Sequence, residues 1–209
     1  MTAAARARRT GLPRAYRGMR IGLFGGSFDP AHEGHAHVAE TARKRLQLHQ
    51  VWWLAAPQNP LKANSSPLPQ RLASMRRVAR GRAMIVTDIE SRWGVRYTAD
   101  TLKALRAAYP GVRFVWVMGG DNIAAFRRWR RWGEIFRAAP IAILSRPLAP
   151  AATLGAKPFA RFAAARLAPC RARRLADADP PAWAYFPARH VPASSTLLRA
   201  ARVANRPSK

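Results

Sequence analysis

Two histidines, His32 and His35, stand three residues apart, with Glu33 and Gly34 between them and a glycine pair, Gly25-Gly26, shortly before. Residues at that spacing in a first helical turn project from one face, and imidazole nitrogens can donate hydrogen bonds to phosphate oxygens. The approach to them is Ser27-Phe28-Asp29-Pro30, which is turn chemistry, with Pro30 stopping any continuing strand. The glycine pair lets the backbone turn sharply or come close to a ligand. An anion at this place would meet imidazoles, free backbone N–H groups and the positive end of a helix dipole. Neither histidine is the lysine that a Walker-type loop supplies, so this is not an ordinary P-loop.

The elements that must position these residues follow from the apolar pattern. Met19 to Phe24 suits a buried parallel strand, and a helix is expected from about Gly34, with Val38, Ala39 and Ala42 inward and Glu40 outward. Further strands are expected at 51–56, at Met84 to Ile89, at Phe114 to Met118, at Ile141 to Leu144 and at Trp183 to Phe186. Helices are expected from Gln70 to Arg80, with a stripe of Leu72, Met75, Val78 and Ala79, and from Thr98 to Tyr109, with Thr98 as N-cap. Another helix follows Gly119-Gly120-Asp121-Asn122 and ends near Arg137, and a last one runs from Leu197 to about Ala204. Alternating strands and helices mean an α/β protein, a Rossmann-like, doubly wound parallel sheet whose ligands sit at the carboxyl ends of the strands.

Composition bounds the rest. At 209 residues and 49% hydrophobic the chain suits one globular domain, and no apolar run is long enough to span a membrane. A single cysteine, Cys170, excludes an internal disulfide and fits a reducing cytoplasm. The net charge of +27, from 37 Lys+Arg against 10 Asp+Glu, attracts nucleotides and polyanions, and keeps a nucleic-acid-binding protein as the rival of another class. Residues 1–18 are arginine-rich and acid-free, resembling a transit peptide in composition; a disordered basic extension is expected there, with the domain over 19–205. The stretch 148–182 is alanine, proline and arginine with little period, either a tolerant surface excursion or a poorly ordered insert. Arg127, Arg128, Arg130 and Arg131 are expected to be solvated, or to steer an anionic substrate.

The string GGSFDPAHEGH, with His32-Glu33-Gly34-His35 as its His-x-Gly-His, resembles the signature of the HxGH-type nucleotidyltransferases, and Ser194-Ser195-Thr196-Leu197-Leu198-Arg199 resembles the second half of that signature. Over roughly 19–147 and 183–203 the chain is similar to the bacterial nicotinate-nucleotide adenylyltransferases, which join ATP and nicotinate mononucleotide. The resemblance implies an ATP side made by Gly25, Gly26, Ser27, Phe28, His32, Gly34, His35, Arg146, Ser194, Ser195, Thr196 and Arg199. It implies a mononucleotide side made by Asn59, Lys62, Thr98, Asp121 and Trp129, with Trp129 stacking on the pyridine ring. His32, His35 and Arg199 would carry catalysis, and Mg²⁺ would come with ATP rather than sit in a protein cage. Asp29 is open between metal, water and neither, and an oligomer is open too.

The implied reaction is direct: a phosphate oxygen of the mononucleotide attacks the α-phosphorus of ATP and pyrophosphate leaves, so catalysis rests on in-line positioning and charge stabilisation. Two relatives compete, the pantetheine-phosphate adenylyltransferases, which usually carry threonine in place of His32, and enzymes that prefer nicotinamide mononucleotide. Ala193 and Leu198 replace the isoleucines usual around the second element, which bears on packing rather than chemistry.

Overall fold

Near-continuous apolar runs such as Val51-Trp52-Trp53-Leu54-Ala55 form strands buried on both faces, as a fully covered parallel sheet requires. The computed structural model describes residues 12–57, 65–145 and 155–187. Its strands are β1 (Arg20–Gly26), β2 (Gln50–Ala55), β3 (Met84–Thr87), β4 (Arg113–Gly119), β5 (Ile141–Ser145) and β6 (Trp183–Pro187). They make one six-stranded sheet in the order β3-β2-β1-β4-β5-β6, and every pairing is parallel. The order reverses between β1 and β4, which is where a doubly wound sheet opens a crevice at its carboxyl edge.

Two helix layers cover the sheet. On one face α1 (Glu33–Arg45) and α2 (Leu68–Val78) pack Val38, Ala39, Ala42 and Met75 against Phe24, Trp53, Val115 and Val117. On the other lie α3 (Ile89–Arg92), α4 (Thr98–Ala108), α5 (Ile123–Phe126), α6 (Trp132–Ala138) and α7 (Lys157–Arg161), whose Leu102, Leu105, Phe126, Phe136 and Phe159 meet Leu23, Trp52 and Trp116.

Four expectations change. The helix expected to end near Arg137 is two short ones, α5 and α6, because Arg131 takes a left-handed conformation (φ 55°) that an α-helix cannot contain. Thr98 is the first residue of α4, not its cap; Tyr97 stands at the cap with no side-chain hydrogen bond. Within 148–182, the described residues 155–182 lie mostly at the surface but make core contacts that their sequence does not announce. The 3-10 segment Pro169–Asp177 buries Leu175 and Ala176 in the α1 layer, and Asp177 pairs with Arg113 and with Arg20 at 3.3 Å. Packing also starts before residue 19: Ala15 is buried, and the Tyr109 hydroxyl donates to the Pro13 carbonyl at 2.9 Å.

Glu90 and Thr101 form a buried polar pair between α3 and α4, the Thr101 hydroxyl donating to Glu90 Oε1 at 2.7 Å. Burial pushes the Glu90 carboxyl up to about 7, against the opposing effect of that hydrogen bond. The native state therefore holds a proton that the unfolded chain has already released, so this contribution is present below the usual glutamate range and is lost as pH rises toward 7. Glu90→Gln removes the titration. The fall in melting temperature between pH 5 and pH 8 should shrink by several degrees, for an effect on the order of 3 kcal/mol. An unchanged slope would show that Glu90 does not titrate in this window.

Candidate active site

The end of β1 runs into a turn whose shape is held by side chains packed around it. Gly25 lies under the indole of Trp116, and a Cβ there would collide with that ring. The glycine is thus demanded first by β4 packing, which a reading of Gly25-Gly26 as a phosphate turn alone misses. Phe28 adopts φ 47°, an uncommon conformation for a side chain of that size. It is held there by burial against Phe24, Trp53 and His35, with ring centroids 5.2, 5.3 and 5.1 Å away.

One residue that sequence reasoning missed ties the turn to its neighbours. Arg71 on α2 is only 2% exposed, and each arm of its guanidinium donates to a carbonyl: Ser66 and Ser27 at 2.9 Å and Pro57 at 2.8 Å. Burial pulls its pKa below the ordinary arginine value, and the charge of Asp29 works against that. Asp29 is itself buried and accepts from the Ser66 N–H at 2.9 Å. That makes Asp29 a structural anion of the turn. The Ser74 hydroxyl accepts from the Ala31 N–H at 3.0 Å and donates to the Arg71 carbonyl at 2.7 Å. A signal was available: Arg71 precedes Met75 by one helical turn, on the face that Met75 buries.

His32 and His35 close the site. His32 is the N-cap of α1, its Nδ1 accepting from the Gly34 N–H at 3.1 Å, while His35 Nδ1 accepts from the His32 N–H at 3.3 Å. This reciprocal pair is a capping box built from imidazoles. A neutral imidazole that accepts at Nδ1 carries its proton on Nε2, so each ring presents an Nε2–H donor. The rings lie 3.9 Å apart between centroids, which places two imidazoles together at the start of a helix.

The second group gathers on the other side of the crevice. Trp129 is half-buried, packing on Phe126 at 4.9 Å and edge-on to Trp116 at 6.1 Å, the same indole that covers Gly25. Thr98, at the start of α4, is brought to the Trp129 segment by its flanks: Arg130 sits over the Tyr97 ring at 5.0 Å, and Arg131 pairs with Asp100 at 2.5 Å. Arg130 and Arg131 are therefore engaged rather than simply solvated. The exposed Asp121 turns its carboxylate back over Gly119 at the end of β4. Asn59, Lys62, Arg146, Ser194, Ser195, Thr196 and Arg199 lie outside the described residues, as does the helix expected at 197–204. Among the described residues no three His, Cys, Asp or Glu side chains gather as a metal cage.

A parallel sheet in this order, with a histidine-capped turn at its switch point, defines a Rossmann-like fold of the nucleotidyltransferase class. The cytidylyltransferase-like family profile matches residues 23–201. Proteins named probable nicotinate-nucleotide adenylyltransferase are similar throughout: that of Caulobacter sp. (strain K31) is 56% identical, over 87% of this chain and 97% of its own. That of Brucella abortus (strain 2308) is 47% identical, over 91% of this chain and 100% of its own. The Plasmodium falciparum nicotinic acid mononucleotide adenylyltransferase complexed with NaAD shares the fold at a TM-score of 0.64 and 19% identity, covering 87% of this chain and 83% of that one. The chain belongs to the nicotinate-nucleotide adenylyltransferase family of cytidylyltransferase-like proteins.

Arg71→Met should lower stability by about 3–5 kcal/mol, since it strands three buried carbonyls and a buried carboxylate. Arg71→Lys, which keeps the charge but not the fork, should lose less. Urea unfolding of the two variants checks the ranking, and equal, small losses would contradict it.

Proposed function

We propose that this chain transfers the adenylyl group of ATP to nicotinate mononucleotide, giving nicotinate adenine dinucleotide and pyrophosphate. The observation that carries the reading is the capping box of two imidazoles, His32 and His35, at the start of α1, beside the carboxyl end of β1. In it, a phosphate oxygen of the mononucleotide attacks the α-phosphorus of ATP, the bond from that phosphorus to the bridging oxygen breaks, and pyrophosphate departs with the bond's electron pair. The attacking phosphate is already anionic, so no protein nucleophile is needed. What the protein must supply is alignment and charge stabilisation at the α-phosphate and leaving group.

In this reading His32 and His35 hold the triphosphate through Nε2, with Gly25, Gly26, Ser27, Phe28 and Gly34 shaping the turn around it. Ser194, Ser195, Thr196, Arg199 and Arg146 complete the ATP side. Thr98, Asp121 and Trp129, with Asn59 and Lys62, take the mononucleotide, and the half-buried Trp129 indole offers a wall for a pyridine ring. Mg²⁺ suits such a site as a companion of the phosphates, because a hard ion that keeps its waters needs no dedicated protein cage. When bound it neutralises phosphate charge. Asp29 is not offered as its ligand, being committed to the Ser66 N–H and the field of Arg71. No helix among the described residues is long and apolar enough to cross a membrane, and the lone Cys170 is exposed, which supports a cytoplasmic setting.

Pyrophosphate release from ATP should be fastest with nicotinate mononucleotide and much slower with nicotinamide mononucleotide or phosphopantetheine. No release with any of the three would sink the proposal. His35→Ala should lower kcat about 100-fold or more, the scale of removing one donor to developing charge. Its melting temperature should fall only by the degrees expected for about 1 kcal/mol of lost capping. Near-normal turnover would remove His35 from the phosphate site.

A further inference from the structure

A cleft of about 480 Å³ opens away from the histidines, lined by Arg127, Arg128, Trp132, Lys157 and Arg161. It lies between the α5–α6 connection and α7, on the face that holds Phe126 and Phe159. His32 and His35 belong to the opposite face, beside Phe28 and Phe24. Its four cations are exposed, and among the described residues no carboxylate stands in its wall. Among the described residues none of the four makes an ion pair, although acidic groups on this face are in use nearby: Asp100 and Glu134 are both taken by Arg131. Arg161 also sits over the Trp132 ring at 5.9 Å, and Trp132 stands edge-on to Phe162 at 6.3 Å, so one wall of the cleft is fixed by packing.

Like charges lining one concavity repel one another, and an anion of matching charge relieves that repulsion. Three guanidinium forks and one ammonium can engage many oxygens from separate directions, which a single phosphate does not offer but a chain of phosphates does. The volume falls within the range of small-ligand sites. An adjoining cleft of about 320 Å³ shares Trp132 and Arg161 but has Glu134 in its wall, so the acid-free cleft is the one suited to a compact polyanion rather than to one end of a long basic track. We infer that this cleft binds a linear chain of three or more phosphates, as a site separate from the catalytic crevice. The phosphate chain has two sources, a free inorganic oligophosphate and a nucleoside triphosphate whose base would rest by Trp132.

Calorimetry on the full chain at about 150 mM salt, where weak surface attraction is screened, tests this with inorganic triphosphate, Mg·ATP and a short single-stranded RNA. In Lys157→Ala/Arg161→Ala one class of triphosphate site should weaken about tenfold or more, with kcat/KM for adenylyl transfer within about twofold of the parent. Arg127→Glu, which leaves the Arg161–Trp132 contact in place, should show the same loss. Arg76→Ala/Arg77→Ala removes equal charge from exposed positions on α2 and should bind as the parent does. Equal weakening for triphosphate and ATP identifies the phosphate chain as what is recognised, and weakening for ATP alone identifies a nucleoside triphosphate; both uphold the site. Unchanged binding, equal weakening in the Arg76/Arg77 control, loss confined to RNA, or a parallel collapse of kcat/KM would overturn it. Because the readout is binding, it stands or falls apart from which mononucleotide the enzyme uses.

Discussion

The buried guanidinium of Arg71 is the constraint on which the turn depends, because it donates at once to carbonyls of three segments that have no regular structure to share. Ser27 belongs to the turn after β1, Pro57 to the exit from β2 and Ser66 to the approach to α2. Burying a cation costs several kcal/mol, and charge-assisted hydrogen bonds of roughly 1.5–3 kcal/mol each offset that loss without turning it into a large surplus. Its value lies in geometry. A planar fork with fixed angles fixes the relative positions of three backbones, which apolar packing alone would leave looser.

From that anchor the site follows in steps. Asp29 balances the guanidinium and holds the Ser66 N–H, so the turn cannot open without exposing a charge pair. Phe28 wedges its ring among Phe24, Trp53 and His35, which orients the imidazole from below. The two histidines then cap α1 through Nδ1. Trp116 connects this half to the other, touching Gly25 on one side and Trp129 on the other. The mononucleotide side is braced by Tyr97–Arg130 and Asp100–Arg131, contacts made by residues flanking Thr98 and Trp129. In each half, contact-making side chains rest on neighbours whose work is positional.

The legible parts were those whose signal is local. Apolar runs placed the described strands within a few residues, and their spacing with helices between them implied the parallel sheet. The apolar pattern of Val38, Ala39 and Ala42 placed the start of α1 near Gly34, one residue from its observed start at Glu33. What stayed hidden depends on partners far along the chain. Arg71 reads as one more arginine among many until the three carbonyls around it are known, and Gly25 reads as a phosphate glycine until Trp116 is placed over it. The segment 155–182 shows little period because its helical pieces are short and the one at Pro169–Asp177 repeats every three residues rather than at the α-helical spacing, yet Leu175, Ala176 and Asp177 fasten it to the sheet. Thr98 reads as a cap because a hydroxyl beside a helix start is a frequent cap and Tyr97 is not, yet it is the first helical residue.

The claim that Arg71 holds the turn in its working shape is tested most directly by amide hydrogen exchange, comparing the parent chain with Arg71→Lys under native conditions. Faster exchange confined to residues 27–35 and 65–67, with α4 and the strand interiors of β1 and β4 unchanged, is the predicted result. Exchange that rises evenly over the whole sheet, or not at all in the turn, would contradict it.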